Sequence, residues 1–344
     1  MQTGSPIEFL YLTQEDVKAA GGLDMRLVLE AVEQSFKAHA EGKVLLPPKI
    51  ILDLDEKKVG RINAMPAYVG GTFDICGIKW IAGFPGNPIK YGIPRATGLI
   101  IINDSKKGIP LAIMDGTLIS AMRTGAVTGV GAKYLAKRNS EIVGIIGCGV
   151  QARTQLMALK IVLKELKEVR AFDTRRETAE RYAKEMNANL DLNVKAVNTP
   201  REAVEKADVI VTVTVADEPI VKNQWVAPGS LFSHIGSYQE EEYDVVLNSD
   251  KIVVDDWEQV KHRGTPVLAK MHSEGLIHED DIYGSLGEIV IGKKPGRENE
   301  KERIFLLPIG MGSEDIAVAS KVYKTALQKD IGHRLTLWSN PEFP

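Results

Sequence analysis

Short apolar runs alternate, through the second half of the chain, with segments whose apolar positions return every three or four residues. Ile142 to Ile146, Glu168 to Asp173, Asn193 to Val197, Asp208 to Val215, Leu231 to Ile235, Lys251 to Val254 and Ile304 to Leu307 read as strands. Helical spacing fills the intervals at Gln151 to Leu166, Glu177 to Met186 and Arg201 to Lys206. Strands separated by helices predict a doubly wound, parallel α/β sheet.

The residues before this pattern have a different rhythm and read as mixed α and β. Asp24 to His39 has helical spacing (Leu27, Val28, Val32, Phe36), while Lys49 to Leu54, Gly77 to Trp80 and Gly98 to Ile102 read as strands. Lys106-Lys107-Gly108 turns the chain into Ile109 to Met114, which predicts a hairpin. From Thr117 to Ala136, small residues (Ala121, Gly125, Ala126, Gly129, Gly131, Ala132) recur at helical spacing and predict a closely packed helix leading into the second fold. After Trp257 the chain is helical and polar, and Lys293 to Glu300 reads as an exposed, solvated turn. Ser313 to Leu327 is a last amphipathic helix, whose face Ile316, Ala319, Val322, Tyr323 and Ala326 should pack back on the N-terminal half.

One junction in this pattern carries chemistry. The strand at Ile142 runs into Gly147-Cys148-Gly149-Val150-Gln151-Ala152 and then into a helix. Gly147 permits the tight turn, Gly149 lets the backbone approach phosphate without a Cβ, and Ala152 allows close packing of helix on strand. The next strand ends in Asp173, where a carboxylate meets an adenosine ribose. These features in register predict a dinucleotide on the helix N-terminus. Asp173 favours NAD, since a carboxylate repels a 2′-phosphate, and Arg175 and Arg176 keep NADP open.

Length and charge narrow the class. A chain of 344 residues, 44% hydrophobic and 26% charged, predicts two globular domains. The balance of 43 basic and 46 acidic residues gives a net charge of -3, and no basic block is interleaved with aromatics, so nucleic acid is not an expected partner. Cys76 and Cys148 are the only cysteines, too few for a disulfide framework, and fit a reducing cytoplasm. No apolar run approaches the roughly 18 residues of a membrane span, and the N-terminus lacks a signal-peptide pattern, so a soluble cytoplasmic protein is expected.

Several cations before residue 125 stand in poorly solvated settings. Lys49 follows Pro47-Pro48, Arg61 precedes Asn63-Ala64-Met65-Pro66, Lys79 lies within Gly77-Ile78-Lys79-Trp80-Ile81, and Arg123 interrupts the small-residue helix. Together they predict an anion pocket, since fixed cations anchor a carboxylate beside nicotinamide. His272 and His278 match no zinc spacing and are read as solvated, so no metal is expected. His234, in an apolar strand, is either a core residue or faces the pocket.

Gly77-Ile78-Lys79-Trp80, Leu99 to Gly108, Met114 to Ala126, the glycine turn, Ser285-Leu286-Gly287-Glu288 and Gly310 to Asp315 together resemble the ornithine cyclodeaminase/mu-crystallin family over nearly the whole chain. The resemblance implies a homodimer, with a Rossmann-type domain at 138–310 and a discontinuous α+β substrate-binding and dimerisation domain at 1–137 and 311–344. It implies hydride transfer between the α-carbon of an amino acid, or its imine, and NAD(P). Lys49, Lys79 and Arg123 would grip the substrate carboxylate, with Asp115 and Met65 lining the pocket. Gly147, Gly149, Val150, Gln151, Ala152, Asp173, Thr174, Arg175, Thr124 and Thr214 would contact the cofactor.

Three departures bear on the reaction. Cyclodeaminases carry Gly-x-Asp followed by Pro-Gly-Lys, and here Gly236-Ser237-Tyr238-Gln239-Glu240-Glu241-Glu242 is shorter, with Tyr238 in place of the aspartate. A neutral phenol cannot serve as the same base at neutral pH; the glutamates after it are expected to form a solvated turn. Arg61 stands where cyclodeaminases tend to have glutamate and is similar to the archaeal alanine dehydrogenase branch. Arg95 replaces a usual threonine, and is either a surface residue or a partner for a second carboxylate. An amino-acid dehydrogenase or ketimine reductase is therefore expected ahead of an ornithine cyclodeaminase or a non-catalytic binder.

Overall fold

The computed structural model describes residues 6–54, 60–216 and 218–342. It divides into two compact units, one formed by 1–123 with 311–344 and the other by 124–310. The first boundary falls inside the helix Gly116–Leu135, earlier than the expected division after residue 137.

The discontinuous unit contains one mixed sheet. Its strands are β1 (Ile7–Leu12), β2 (Val44–Leu45), β3 (Ile50–Asp53), β4 (Arg61–Val69), β5 (Ile75–Gly83), β6 (Ala96–Asp104) and β7 (Pro110–Asp115), with a C-terminal strand His333–Trp338. The order is C-terminal strand, β1, β7, β6, β5, β4, β2, and β3 also pairs with β4. Only the β1–β7 pairing is parallel. The helix Gly312–Lys329 packs across β4, β5 and β6 and against the helix Met25–Ala40, as its apolar spacing predicts. The expected β6–β7 hairpin is present: Asp104 accepts from the Lys106 and Lys107 amides, and Gly108 takes the positive φ of 72° that closes the turn.

Four of these strands, β1, β2, β4 and the C-terminal strand, were not read from the sequence, and two of them were concealed by it. β4 contains Pro66, which argues against a strand interior. β3 covers β4 only as far as Ala64 and β2 resumes at Tyr68, so Met65 to Ala67 have a strand neighbour on one side only, β5. A residue without an N–H is tolerated in that gap. His333–Trp338 is exposed at every position, as befits an edge strand.

The second unit is a parallel sheet of β8 (Ile142–Ile146), β9 (Glu168–Phe172), β10 (Asn193–Ala196), β11 (Val209–Thr212), β12 (Leu231–His234), β13 (Lys251–Val254), β14 (Gly284–Ser285) and β15 (Ile304–Leu307). Their order is β10-β9-β8-β11-β12-β15-β13-β14, with every pairing parallel. From β8 the chain steps one way to β9 and β10, then resumes on the other side at β11. That reversal makes the C-terminal ends of β8 and β11 the crevice where such sheets bind ligands. The helix after β8 ends at Val162, short of the expected Leu166. Leu163 turns extended, yet Leu163 and Leu166 both stay buried, which is why the apolar spacing ran on past the helix.

The small residues of Gly116–Leu135 answer to close neighbours. A Cβ on Gly125 would lie 2.3 Å from the Thr154 carbonyl oxygen, and one on Gly131 would lie 2.3 Å from Leu306 Cδ2. Among the described residues no helix is long and apolar enough to cross a membrane.

Candidate functional site

In the parallel-sheet unit, the glycine turn leaves β8 at Gly147, whose amide donates to the Phe172 carbonyl at 2.8 Å. Its φ is +94°, and a Cβ there would sit 2.9 Å from the Val213 carbonyl oxygen, so the turn needs glycine twice over. Gly149 is the N-cap of the helix Val150–Val162 and supplies no side-chain cap. Among the described residues, nothing lies within 4 Å of where its Cβ would be. No side chain caps the first amides of that helix, which carry the partial positive charge of a helix N-terminus.

Asp173, at the end of β9, is drawn toward this turn. Its Oδ2 accepts from the Cys148 amide and its Oδ1 from the Arg175 amide, both at 3.0 Å. Thr174 and Arg175 are exposed beside it, whereas the Arg176 guanidinium is engaged by Glu180 and Asn198. Ala152 is fully buried, and its carbonyl accepts from Tyr182 Oη. Gln151 Oε1 accepts from Thr154 Oγ1, the Thr124 carbonyl accepts from Gln155 Nε2, and exposed Val150 opens the helix. Thr214, just past β11, donates its amide to Glu240 Oε1 at 2.6 Å. The uncapped helix, the missing Cβ and the carboxylate on the neighbouring strand end fit a dinucleotide.

Arg153 is a member of this region that the sequence reading missed. It donates to the Cys148 and Gly149 carbonyls and pairs with Glu185, clamping the turn from one helical turn downstream. A basic residue on an ordinary helix face gives no signal of that role. Cys148 is not a reactive thiol: burial, then the charge of Asp173, pushes it up to about 12.

The segment after β12 corrects an expectation. Glu240 and Glu241 are fully buried rather than solvated, and Glu242 accepts from the Asn223 amide. Glu240 takes the amides of Thr214 and Gly236, and Glu241 takes the ring of His234 at 2.9 Å. His234 is thus a core residue, hydrogen-bonded to a buried acid. Local hydrogen-bond demand buries these acids, which side-chain polarity alone does not reveal. Tyr238 is half-buried on the same segment.

In the other unit, Lys79 and Arg123 meet two acids that the sequence reading did not select. Lys79 Nζ lies 2.7 Å from Asp315 Oδ2 and 3.2 Å from Ser120 Oγ, while Arg123 contacts Asp315 Oδ1 at 3.0 Å and Glu314 Oε2 at 2.8 Å. All four charged side chains are buried. The available signal was Glu314-Asp315 in the first turn of an otherwise small and apolar helix, where the helix dipole favours anions. Register places Met65 opposite Lys79 and Arg61 on the same face. Lys49, immediately before β3, is also buried.

Two further pocket candidates lie outside β4 and β5. Asp115 accepts from the Thr117 and Leu118 amides and from Gln14 Nε2, capping the helix Gly116–Leu135, and it pairs with Leu99 on the face opposite Lys79. Arg95 is exposed just before β6.

Burial, then the neighbouring charge of Arg123, pulls the Lys79 ammonium down from 10.5 to about 8, against the opposing pull of Asp315. The folded protein therefore sheds this proton between about 8 and 10.5 while the unfolded chain keeps it, so Lys79 penalises folding most below pH 8 and less as pH rises. If Lys79 binds a substrate carboxylate, that capture would run the other way, because it would need the ammonium. kcat/KM for a 2-oxo or imino acid is expected to fall about tenfold per pH unit above roughly 8. A profile flat to pH 10, or one unchanged in Lys79→Arg, would refute this.

The strand order and the turn after β8 define a Rossmann-type doubly wound fold joined to a second, mixed-sheet unit. The chain belongs to the ornithine cyclodeaminase/mu-crystallin family, whose model matches residues 9–330. It is 40% identical over 332 residues to an alanine dehydrogenase of Archaeoglobus fulgidus, covering 96% of this chain and 98% of that one. The solved Δ1-pyrroline-2-carboxylate reductase of Thermococcus litoralis, in complex with NADH and L-proline, superposes with a TM-score of 0.88 at 37% identity, covering 94% and 99% of the two chains. A solved archaeal alanine dehydrogenase dimer with bound NAD gives 0.88 and 37%, covering 96% and 100%.

Proposed function

We propose that the protein is an NAD(H)-dependent oxidoreductase that moves hydride between nicotinamide and the α-carbon of an amino acid or its imine, acting as an amino-acid dehydrogenase or ketimine reductase. The observation that carries the carboxylate half of this reading is the burial of two cations, Lys79 on a sheet face shared with Met65 and Arg61, and Arg123 on the helix Gly116–Leu135. In water such cations are solvated; held by Asp315 and Glu314, they stay charged and fixed. Their donors not engaged by those acids would grip a substrate carboxylate and orient its α-carbon.

Gly147, Gly149, Val150, Gln151 and Ala152 would hold the pyrophosphate, and Asp173 the adenosine ribose, with Thr174, Arg175, Thr124 and Thr214 completing the contacts. When bound, the nicotinamide supplies a two-electron hydride acceptor or donor. Asp173 favours NAD over NADP, since both its oxygens already accept hydrogen bonds and it presents charge, not donors. Tyr238 would border the reacting carbon without serving as a carboxylate base, which supports net oxidation or reduction over cyclodeamination.

The protein would act as a homodimer. The sheet face opposite Lys79 exposes Ile50, Leu52, Trp80 and Leu99, an apolar surface suited to a second copy.

The assay follows NADH absorbance with L-amino acids, and NADH consumption with cyclic imines or with 2-oxo acids plus ammonia. Net NADH change with one of these substrates is expected. Proline and ammonia from ornithine with only catalytic NAD would replace this reading with the cyclodeaminase one; cofactor binding with no turnover would leave a binder.

A further inference from the structure

The deeply buried acid after β12 is not used by the chemistry above, although the cofactor would pass beside it. With the pyrophosphate on the turn after β8 and the adenosine ribose at Asp173 after β9, the nicotinamide half extends toward the ends of β11 and β12. Two stretches of backbone occupy those ends: Val213 to Ala216 after β11 and Ile235 to Ser237 after β12. Glu240 joins them.

Its Oε1 accepts from the Thr214 amide at 2.6 Å and its Oε2 from the Gly236 amide at 2.9 Å. The approach is so close that a Cβ on Gly236 would lie 2.1 Å from Glu240 Oε2. On the other side, a Cβ on Gly147 would meet Val213 O at 2.9 Å and Thr214 Cγ2 at 3.0 Å, so the segment tied by Glu240 also forms a wall of the glycine turn. Thr214 Oγ1 accepts from the Ala216 amide, which fixes the rest of that stretch. Beneath the clip, His234 Nδ1 stands 3.8 Å from Glu240 and 2.9 Å from Glu241.

We infer that Glu240 is a positioning residue for the nicotinamide half of the dinucleotide: it ties the backbone after β11 to the backbone after β12 and so sets where Thr214 meets the glycine turn. This rests on the function proposed above. A carboxylate is suited to the task because one group accepts from two backbone amides at once. Glutamine cannot do so, since one of its two ends is itself a donor.

The test uses Glu240→Gln and measures binding of NADH and of ADP-ribose, which lacks the nicotinamide. Glu240→Gln is expected to weaken NADH roughly tenfold, the scale of one charge-assisted hydrogen bond, and to lower kcat, while ADP-ribose changes by less than about twofold. Equal weakening of both ligands would mean a merely structural role and overturn the inference, as would unchanged NADH binding. Should Glu240→Gln fold poorly, Gly236→Ala, which displaces the carboxylate and leaves Glu240 in place, is expected to give the same split between ligands. Wild-type protein that binds no NADH would instead overturn the proposed function, so the two failures are distinguishable.

Discussion

Arg123→Ala is expected to lower the unfolding free energy by about 3–5 kcal/mol, the usual cost of removing one partner from a buried ion pair. The guanidinium contacts two carboxylates at once, and both Glu314 and Asp315 are fully buried. Without it, Lys79 remains as partner for Asp315 only, and its own charge is already held at a disadvantage by burial. Glu314 loses its guanidinium, and the helix N-terminus that it keeps is worth much less. Turnover should be lost as well, since the same group is assigned to the substrate carboxylate. Urea unfolding checks the first effect, and adding Glu314→Gln separates the two: it should recover stability by removing the stranded charge while activity stays absent. A loss below about 1 kcal/mol in Arg123→Ala would mean that the acids are solvated or protonated, and the four-charge cluster would no longer explain this site.

The same cluster shows what the sequence could and could not carry. Lys79 and Arg123 were legible because a charge inside an apolar strand or a small-residue helix breaks its own local pattern. Glu314 and Asp315 break none, since acids at a helix start are ordinary; their burial comes from the sheet beneath, which the helix meets only after folding across sequence distance. Glu240 and Glu241 failed for the opposite reason. Three consecutive glutamates look solvated, and only the amides of Thr214 and Gly236 and the ring of His234 make burial favourable. The parallel sheet was readable strand by strand because burial on both faces leaves continuous apolar runs. In the mixed sheet, β4 and the C-terminal strand were hidden, one by a proline placed in a pairing gap and the other by exposure along its whole length. Asp115 lay in a recognisable motif, yet its carboxylate is occupied in capping a helix, and motif position alone does not separate a cap from a ligand.

The glycine turn yields the sharpest separation of folding from function. Gly149→Val is expected to leave the fold nearly intact, because Gly149 has extended backbone (φ −80°, ψ −163°) that valine adopts readily and no described atom lies within 4 Å of the new Cβ. The helix N-cap preference adds a cost of about 1 kcal/mol at most. NADH affinity should nevertheless fall at least roughly a hundredfold, because the branched side chain fills the space that a pyrophosphate needs above the helix amides. Gly147→Ala should show the reverse balance. Its φ of +94° and the 2.9 Å approach of its Cβ to Val213 O make it destabilising by about 1–3 kcal/mol before any ligand is considered. Thermal unfolding and NADH fluorescence titration of the pair distinguish a turn built for folding alone from one built for phosphate. If Gly149→Val kept full NADH affinity, the open space at the helix N-terminus would have no ligand to explain it, and the dinucleotide assignment would have to move away from this turn.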